Sequence, residues 1–146
     1  NIKALLVASP AFSVHKNGTD QIAIVSNIET LVTWPTELFD INSNFAANKF
    51  TPTVAGKYLL TSTINILAMV SGTLGYCVIY KNGVALHAGL YSHASFTSSL
   101  SVSVTGIVDA NGSTDYFEIY VYQLTGSNKD VYGVATRTYF AGSKIS

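Results

Sequence analysis

Ser99-Leu100-Ser101-Val102-Ser103-Val104-Thr105 alternates hydroxyl and apolar side chains without interruption. Successive side chains of an extended chain point to opposite faces, so this stretch reads as a strand with one face in a core and one face of hydroxyls. The same period lies on either side of it. Phe117, Ile119 and Val121 alternate with Tyr116, Glu118, Tyr120 and Tyr122. Tyr58, Leu60, Ile64 and Ile66 share a parity with Ser62, while Thr61, Thr63 and Asn65 take the other. Val, Ile and Thr make up 40 of the 146 residues, a composition suited to sheets. The pair Asn82-Gly83 inside Tyr80-Lys81-Asn82-Gly83-Val84 carries the two positive φ angles of a type I′ turn and predicts a tight hairpin. The one helix-like patch, 28–38, is interrupted by Pro35. Many short strands with no long helix predict a sandwich or barrel with one core.

Composition narrows the function. Eight basic and eight acidic residues cancel, which leaves no excess positive charge to neutralise phosphates and argues against nucleic acid. At 48% apolar content the chain is not disordered, and no apolar run is long enough for a membrane-spanning helix. Only 11% of residues are charged, so 16 Ser, 15 Thr and 10 Asn must carry solubility. A neutral surface of that kind favours association. The single cysteine, Cys77, excludes a disulfide framework and reads as a small buried hydrophobe. All 146 residues are read as one domain, with residues 1–9 either an edge strand or the remnant of a stalk.

The order of signals along the chain carries a resemblance. Pro10-Ala11-Phe12-Ser13-Val14 comes first, then Phe39-Asp40 and Phe45. The segment Phe50-x-Pro52-x-x-x-Gly56-x-Tyr58 follows, then Tyr80-Lys81-Asn82-Gly83, the Ser/Val strand, Asp109-Ala110-Asn111-Gly112, and finally Phe140-x-Gly142. That series resembles the globular head of complement component 1q and the wider tumour-necrosis-factor-like (TNF-like) jelly rolls, over residues 10–146. The resemblance implies an all-β, ten-stranded jelly-roll sandwich of two antiparallel sheets, assembled as a homotrimer. It implies a head that binds and does not catalyse, placed outside the cell or on a virion surface. The chain lacks the cysteines of the complement heads, and its Ser/Thr/Asn texture is closer to versions found in phage fibres and bacterial surface filaments. A fibre tip binding a glycan or protein receptor is therefore expected, with a secreted cytokine- or complement-type head as the alternative. The family pattern places 59–65, 99–105 and 139–145 in the sheet facing the threefold axis. Leu59, Thr61, Thr63, Asn65, Ser99, Ser101, Ser103, Thr105 and Tyr139 would then face the partner subunits.

Catalytic patterns are missing: there is no Gly-x-Ser-x-Gly elbow, no His-Glu-x-x-His and no phosphate loop. His15, His87 and His93 are expected on exposed loops. Asp40-Ile41-Asn42-Ser43-Asn44 begins like a calcium loop, but Phe45 and Thr51 stand where Gly and Glu are needed, so a turn is expected. Asp109 and Asp115 flank one tight loop and are the weak candidates for a hard cation such as calcium; no other cofactor is expected. Asn17-Gly18-Thr19 and Asn111-Gly112-Ser113 match the glycosylation sequon, as chance allows in a chain rich in Asn-Gly turns. Two segments mix aromatics with amides or hydroxyls, as stacking on a sugar requires. They are 88–96, with Tyr91 and His93, and 126–132, with Asn128, Asp130 and Tyr132. Tyr116, Tyr120 and Tyr122 oppose the core parity of their strand. They are expected to form either a cross-strand ladder or a contact surface.

Overall fold

The computed structural model describes residues 8–146. Residues 1–7, most of the segment read above as an edge strand or stalk remnant, lie outside the described residues. The strands are β1 (Ala11–His15), β2 (Gln21–Ile24), β3 (Thr30–Leu31), β4 (Thr36–Ile41), β5 (Phe45–Ala46), β6 (Lys49–Phe50) and β7 (Gly56–Met69). They continue with β8 (Leu74–Lys81), β9 (Val84–Ala88), β10 (Ser92–His93), β11 (Ser98–Ala110), β12 (Phe117–Gln123), β13 (Lys129–Val131) and β14 (Tyr139–Lys144). Four of these, β3, β5, β6 and β10, are two residues long, which leaves the ten longer strands of the expected jelly roll. The first sheet runs β2-β13-β7-β14-β1-β4 with β11 also on β7. The second runs β10-β8-β12-β6-β5 with β3 on β12 and β9 on β8. Every pairing is antiparallel. The chain is an all-β sandwich.

One apolar core lies between the sheets, as a two-layer sandwich requires. Phe12 sits at its centre, with ring centroids 4.3 Å from Phe50, 5.2 Å from Phe45 and 4.8 Å from Phe140. The Phe50-x-Pro52-x-x-x-Gly56-x-Tyr58 segment closes on itself. The Phe50 and Tyr58 rings meet edge to face at 5.5 Å, and the Tyr58 hydroxyl donates to the Val54 carbonyl at 2.6 Å. Gly142 occupies a core position of β14 where an added Cβ would run into Leu60 and Phe12, so Phe140-x-Gly142 is a packing requirement. The expected hairpin is present: Lys81 pairs with Val84 across Asn82 and Gly83, whose φ angles are 53° and 79°.

Of the thirteen residues assigned inward from sequence (Phe12, Phe50, Tyr58, Leu60, Ile64, Val78, Leu100, Val102, Val104, Phe117, Ile119, Val121 and Phe140), eleven belong to the core and Leu100 packs against it half-buried. Val78 is the exception. It is buried, yet it pairs with Tyr120 and shares the outer face with it, while Cys77 and Ile79 point into the core. The run Tyr76–Tyr80 is apolar on both parities, so its pattern did not distinguish the faces. The core also takes in Val14, Ile24, Val32, Trp34, Phe45, Ile66 and Met69. The helix-like patch resolves into β3 and β4, separated at Pro35.

Candidate functional site

The outer face of the first sheet is built from cross-strand rows. Pairing aligns Ile41, Ala11, Ser143, Leu59 and Ile107 in one row across β4, β1, β14, β7 and β11. Phe39, Ser13, Ala141, Thr61 and Thr105 form the next, and Thr36, His15, Tyr139, Thr63 and Ser103 a third. The rows grade from apolar to hydroxylic. Thr61 and Thr105 share a hydrogen bond of 2.8 Å, and Thr63 and Ser103 one of 2.9 Å. The Thr63 hydroxyl also lies 3.2 Å from the Tyr139 hydroxyl. The Asn65 amide donates to Ser101 at 2.9 Å; Asn65, expected on the exposed face, is buried there. Small hydroxyls that satisfy each other leave a flat surface another backbone can approach closely.

The structure therefore brings Leu59, Thr61, Thr63, Ser101, Ser103 and Tyr139 onto one face. Ser99 sits where the β11 register shifts between Ser98 and Leu100, exposed and unpaired in the ladder. Sequence reasoning missed the apolar end of this face, namely Phe39, Ile41 and Ile107, all exposed. Ile107 simply continues the parity of Ser103 and Thr105 and was open to the same reading. Phe39 was not, because a bulge opposite Ser13 and Val14 shifts the parity of β4. Between Phe39, Leu59, Ala141 and the start of β1 lies a shallow apolar groove of about 260 Å³.

The two binding-loop candidates lie apart. Tyr91 and His93 belong to the second sheet side, where the Tyr91 ring meets Tyr76 at 4.7 Å and His93 pairs with Leu74. Asn128, Asp130 and Tyr132 border the first sheet. The Asp130 carboxylate accepts from the Ala23 amide at 3.0 Å, and the Tyr132 amide donates to the Asn65 carbonyl. Asp109 and Asp115 are each tied to a different lysine: Lys57 at 3.2 Å and Lys81 at 3.0 Å. Hydrogen bonds from Asn82 and Lys81 hold the Asp115 carboxyl below its ordinary range. The two carboxylates face separate ammonium groups and do not converge on one point. Asp40 likewise caps its own turn, accepting from the Asn44 and Phe45 amides.

Chemically reactive groups are dispersed. Burial pushes the Cys77 thiol up to about 12, which leaves it protonated and unreactive at neutral pH. The three histidines stand on different strands: His15 on β1, His87 on β9 against Gly106, and His93 on β10. Among the described residues no three His, Cys, Asp or Glu side chains form a metal-binding group. Among the same residues no helix is long and apolar enough to cross a membrane.

The tyrosines settle into a ladder on the outer face of the second sheet. Tyr76 stacks on Tyr122 at 4.7 Å and Tyr80 on Tyr120 at 4.0 Å. Glu29, from the connection between β2 and β3, accepts from the hydroxyls of both Tyr76 and Tyr80. This carboxylate was not singled out in the sequence, because nothing local marks a loop that folds across a sheet.

No family model and no curated protein sequence matches the chain. Solved structures do. Murine APRIL, in a crystal at pH 5.0, superposes with a TM-score of 0.66 at 16% identity, covering 94% of this chain and 100% of that one. Eiger TNF from S. frugiperda superposes with a TM-score of 0.61 at 13% identity, covering 94% and 93%. The fold is a TNF-like jelly roll, as the sequence order implied.

Proposed function

We propose that the chain is a non-enzymatic binding head that assembles as a homotrimer through the outer face of its first sheet. The observation that carries this reading is the face itself: three aligned rows that grade from exposed Ile107, Leu59 and Phe39 to small hydroxyls, without a covering layer among the described residues. The apolar groove beside Leu59 has its counterpart in exposed Val84 and Leu86 on edge strand β9. Two different patches on one chain make a head-to-tail contact, which closes into a ring when the rotation permits. The TNF-like fold supports the trimer and a protein receptor. The fibre-tip reading, on a virion or bacterial surface, rests on the Ser/Thr/Asn texture. The neighbours APRIL and Eiger TNF favour the second reading, a secreted ligand.

In either setting the ligand, a glycan or a protein, meets loops held by a rigid scaffold, and a trimer repeats each loop three times. Tyr91 and His93 form one candidate contact, and Asn128, Asp130 and Tyr132 another. Native mass spectrometry is expected to give three times the 15.6 kDa chain mass. Tyr91→Ala or Tyr132→Ala is expected to weaken cell or glycan-array binding with the trimer intact. Full binding by both variants would remove the loops from the account, and a monomer would remove the assembly.

A further inference from the structure

We propose that Tyr80 and Tyr120 are the chain's site of one-electron oxidation and couple there into an intramolecular dityrosine. Tyr80 on β8 and Tyr120 on β12 lie face to face on the outer side of the second sheet, with ring centroids 4.0 Å apart and planes 24° from parallel. That separation puts ring carbons at van der Waals contact. Two phenoxyl radicals join through the carbons next to those that bear the oxygens, and the new bond forms perpendicular to both ring planes. A stacked pair already lies on that path, and holding the partners together removes the encounter step. The second stack, Tyr76 on Tyr122, is wider at 4.7 Å.

Two further observations point to this pair. Loss of an electron makes a phenol hydroxyl strongly acidic, so oxidation is easiest where a base already holds its proton. Of the nine tyrosines, among the described residues only Tyr76 and Tyr80 donate to a carboxylate, and both give their hydroxyls to Glu29. Tyr58 donates to a backbone carbonyl and Tyr122 to the Asn27 side-chain oxygen. Tyr116 has the Lys49 ammonium over its ring, a charge that opposes loss of an electron. The side chains that ordinarily absorb an oxidant first are also out of reach. The chain has one Cys, one Met and one Trp, and Cys77, Met69 and Trp34 are all buried in the core.

Tyr80 gives an electron to the oxidant and its hydroxyl proton to Glu29, while Tyr120 gives an electron to the oxidant and its proton to water. A carbon–carbon bond forms between the rings, and the hydrogen on each joined carbon leaves as a proton while its ring oxygen regains one. Two electrons and two protons depart in all. One hydrogen peroxide, turned over by a haem peroxidase, takes them and becomes two waters. The product ties β8 to β12 covalently, which the lone buried cysteine cannot do.

Every residue of the site belongs to one protomer and to the sheet opposite the assembly face, so the proposal does not rest on the trimer. The test treats the dilute full chain with a haem peroxidase and limiting hydrogen peroxide, and reads intact mass, dityrosine fluorescence and peptide mapping. The expected product is a single chain lighter by two hydrogen atoms, with the peptides that carry Tyr80 and Tyr120 joined. Tyr120→Phe, which keeps the stack, is expected to abolish that product, and Tyr91→Phe to leave its yield unchanged. Glu29→Gln is expected to slow its formation about tenfold with the circular dichroism unchanged. Should Glu29→Gln fail to fold, Tyr120→Phe decides the site. Cross-links that map to other tyrosines or only join separate copies would overturn the proposal. So would the same loss of mass in Tyr120→Phe, or a folded Glu29→Gln that reacts at the wild-type rate.

Discussion

Lys16 is 1% exposed and ends a side chain that enters the sandwich beside Trp34. Its ammonium donates to the Gln21 side-chain carbonyl at 2.8 Å and to the Thr33 carbonyl at 2.6 Å, and among the described residues no carboxylate pairs with it. Desolvation pushes its pKa down to about 8, against a smaller opposing pull from Asp20. An unfolded lysine holds its proton to about 10.4, so between these values the unfolded chain binds more protons than the folded one. Stability therefore rises with pH across that window. Urea unfolding is expected to show a higher midpoint at pH 9.5 than at pH 8, with the rise absent in Lys16→Met. An equal rise in the variant would assign the effect elsewhere. Lys16→Met is also expected to change overall stability by no more than about 1 kcal/mol, because the Gln21 carbonyl keeps its bonds from the Thr33 amide and hydroxyl and exposed Thr33 can turn to water. Gly142 sets a constraint of a different kind. Gly142→Ala puts a methyl group against Leu60 and Phe12, and overpacking of that sort is expected to cost about 1–3 kcal/mol in thermal or urea unfolding.

At the scale of the strand, parity decides almost everything. Val102 lies on the core face of β11 opposite Ile64, while its neighbours Ser101 and Ser103 face outward. Val102→Asp places a carboxylate where there is no donor or cation. The expected cost, above about 4 kcal/mol, is a large share of a domain's stability. Circular dichroism is expected to show no folded sheet, and a normally stable variant would mean the parity is inverted. Where alternation is clean, as in β7, β11 and β12, the sequence displayed both the core and the hydroxyl face. Where both parities are apolar, as in Tyr76–Tyr80, it could not separate Val78 from Cys77 and Ile79. The exposed Phe39 was hidden by a bulge, and Glu29 by a loop that reaches a sheet distant in sequence. Hydrogen bonds such as Thr63 with Ser103, 40 residues apart, need the register that only pairing supplies. The outer ladder of tyrosines was legible as a parity. Glu118 shares that parity, whereas Glu29 was not legible, since its place depends on a loop that crosses the sheet.

For the whole molecule, the central claim is that one sheet face makes the trimer. Its rows combine an apolar end, Leu59 and Ile107, with the Thr61, Thr105, Thr63 and Ser103 hydroxyls, which bond to one another within the sheet. Close approach of small side chains is the source of contact area, and a bulky charge at the hydroxyl end of the face removes it. Ser101 is exposed, so Ser101→Arg leaves the apolar core untouched; it removes the hydroxyl that accepts from the buried Asn65 amide, at an expected cost of about 1–3 kcal/mol, which a domain of ordinary stability withstands. Sedimentation equilibrium on the wild type and Ser101→Arg, over a micromolar concentration series, tests the claim most directly. The account predicts a trimer for the wild type and a folded monomer for the variant. A wild type that sediments as a monomer throughout, or a variant that remains trimeric, would contradict it.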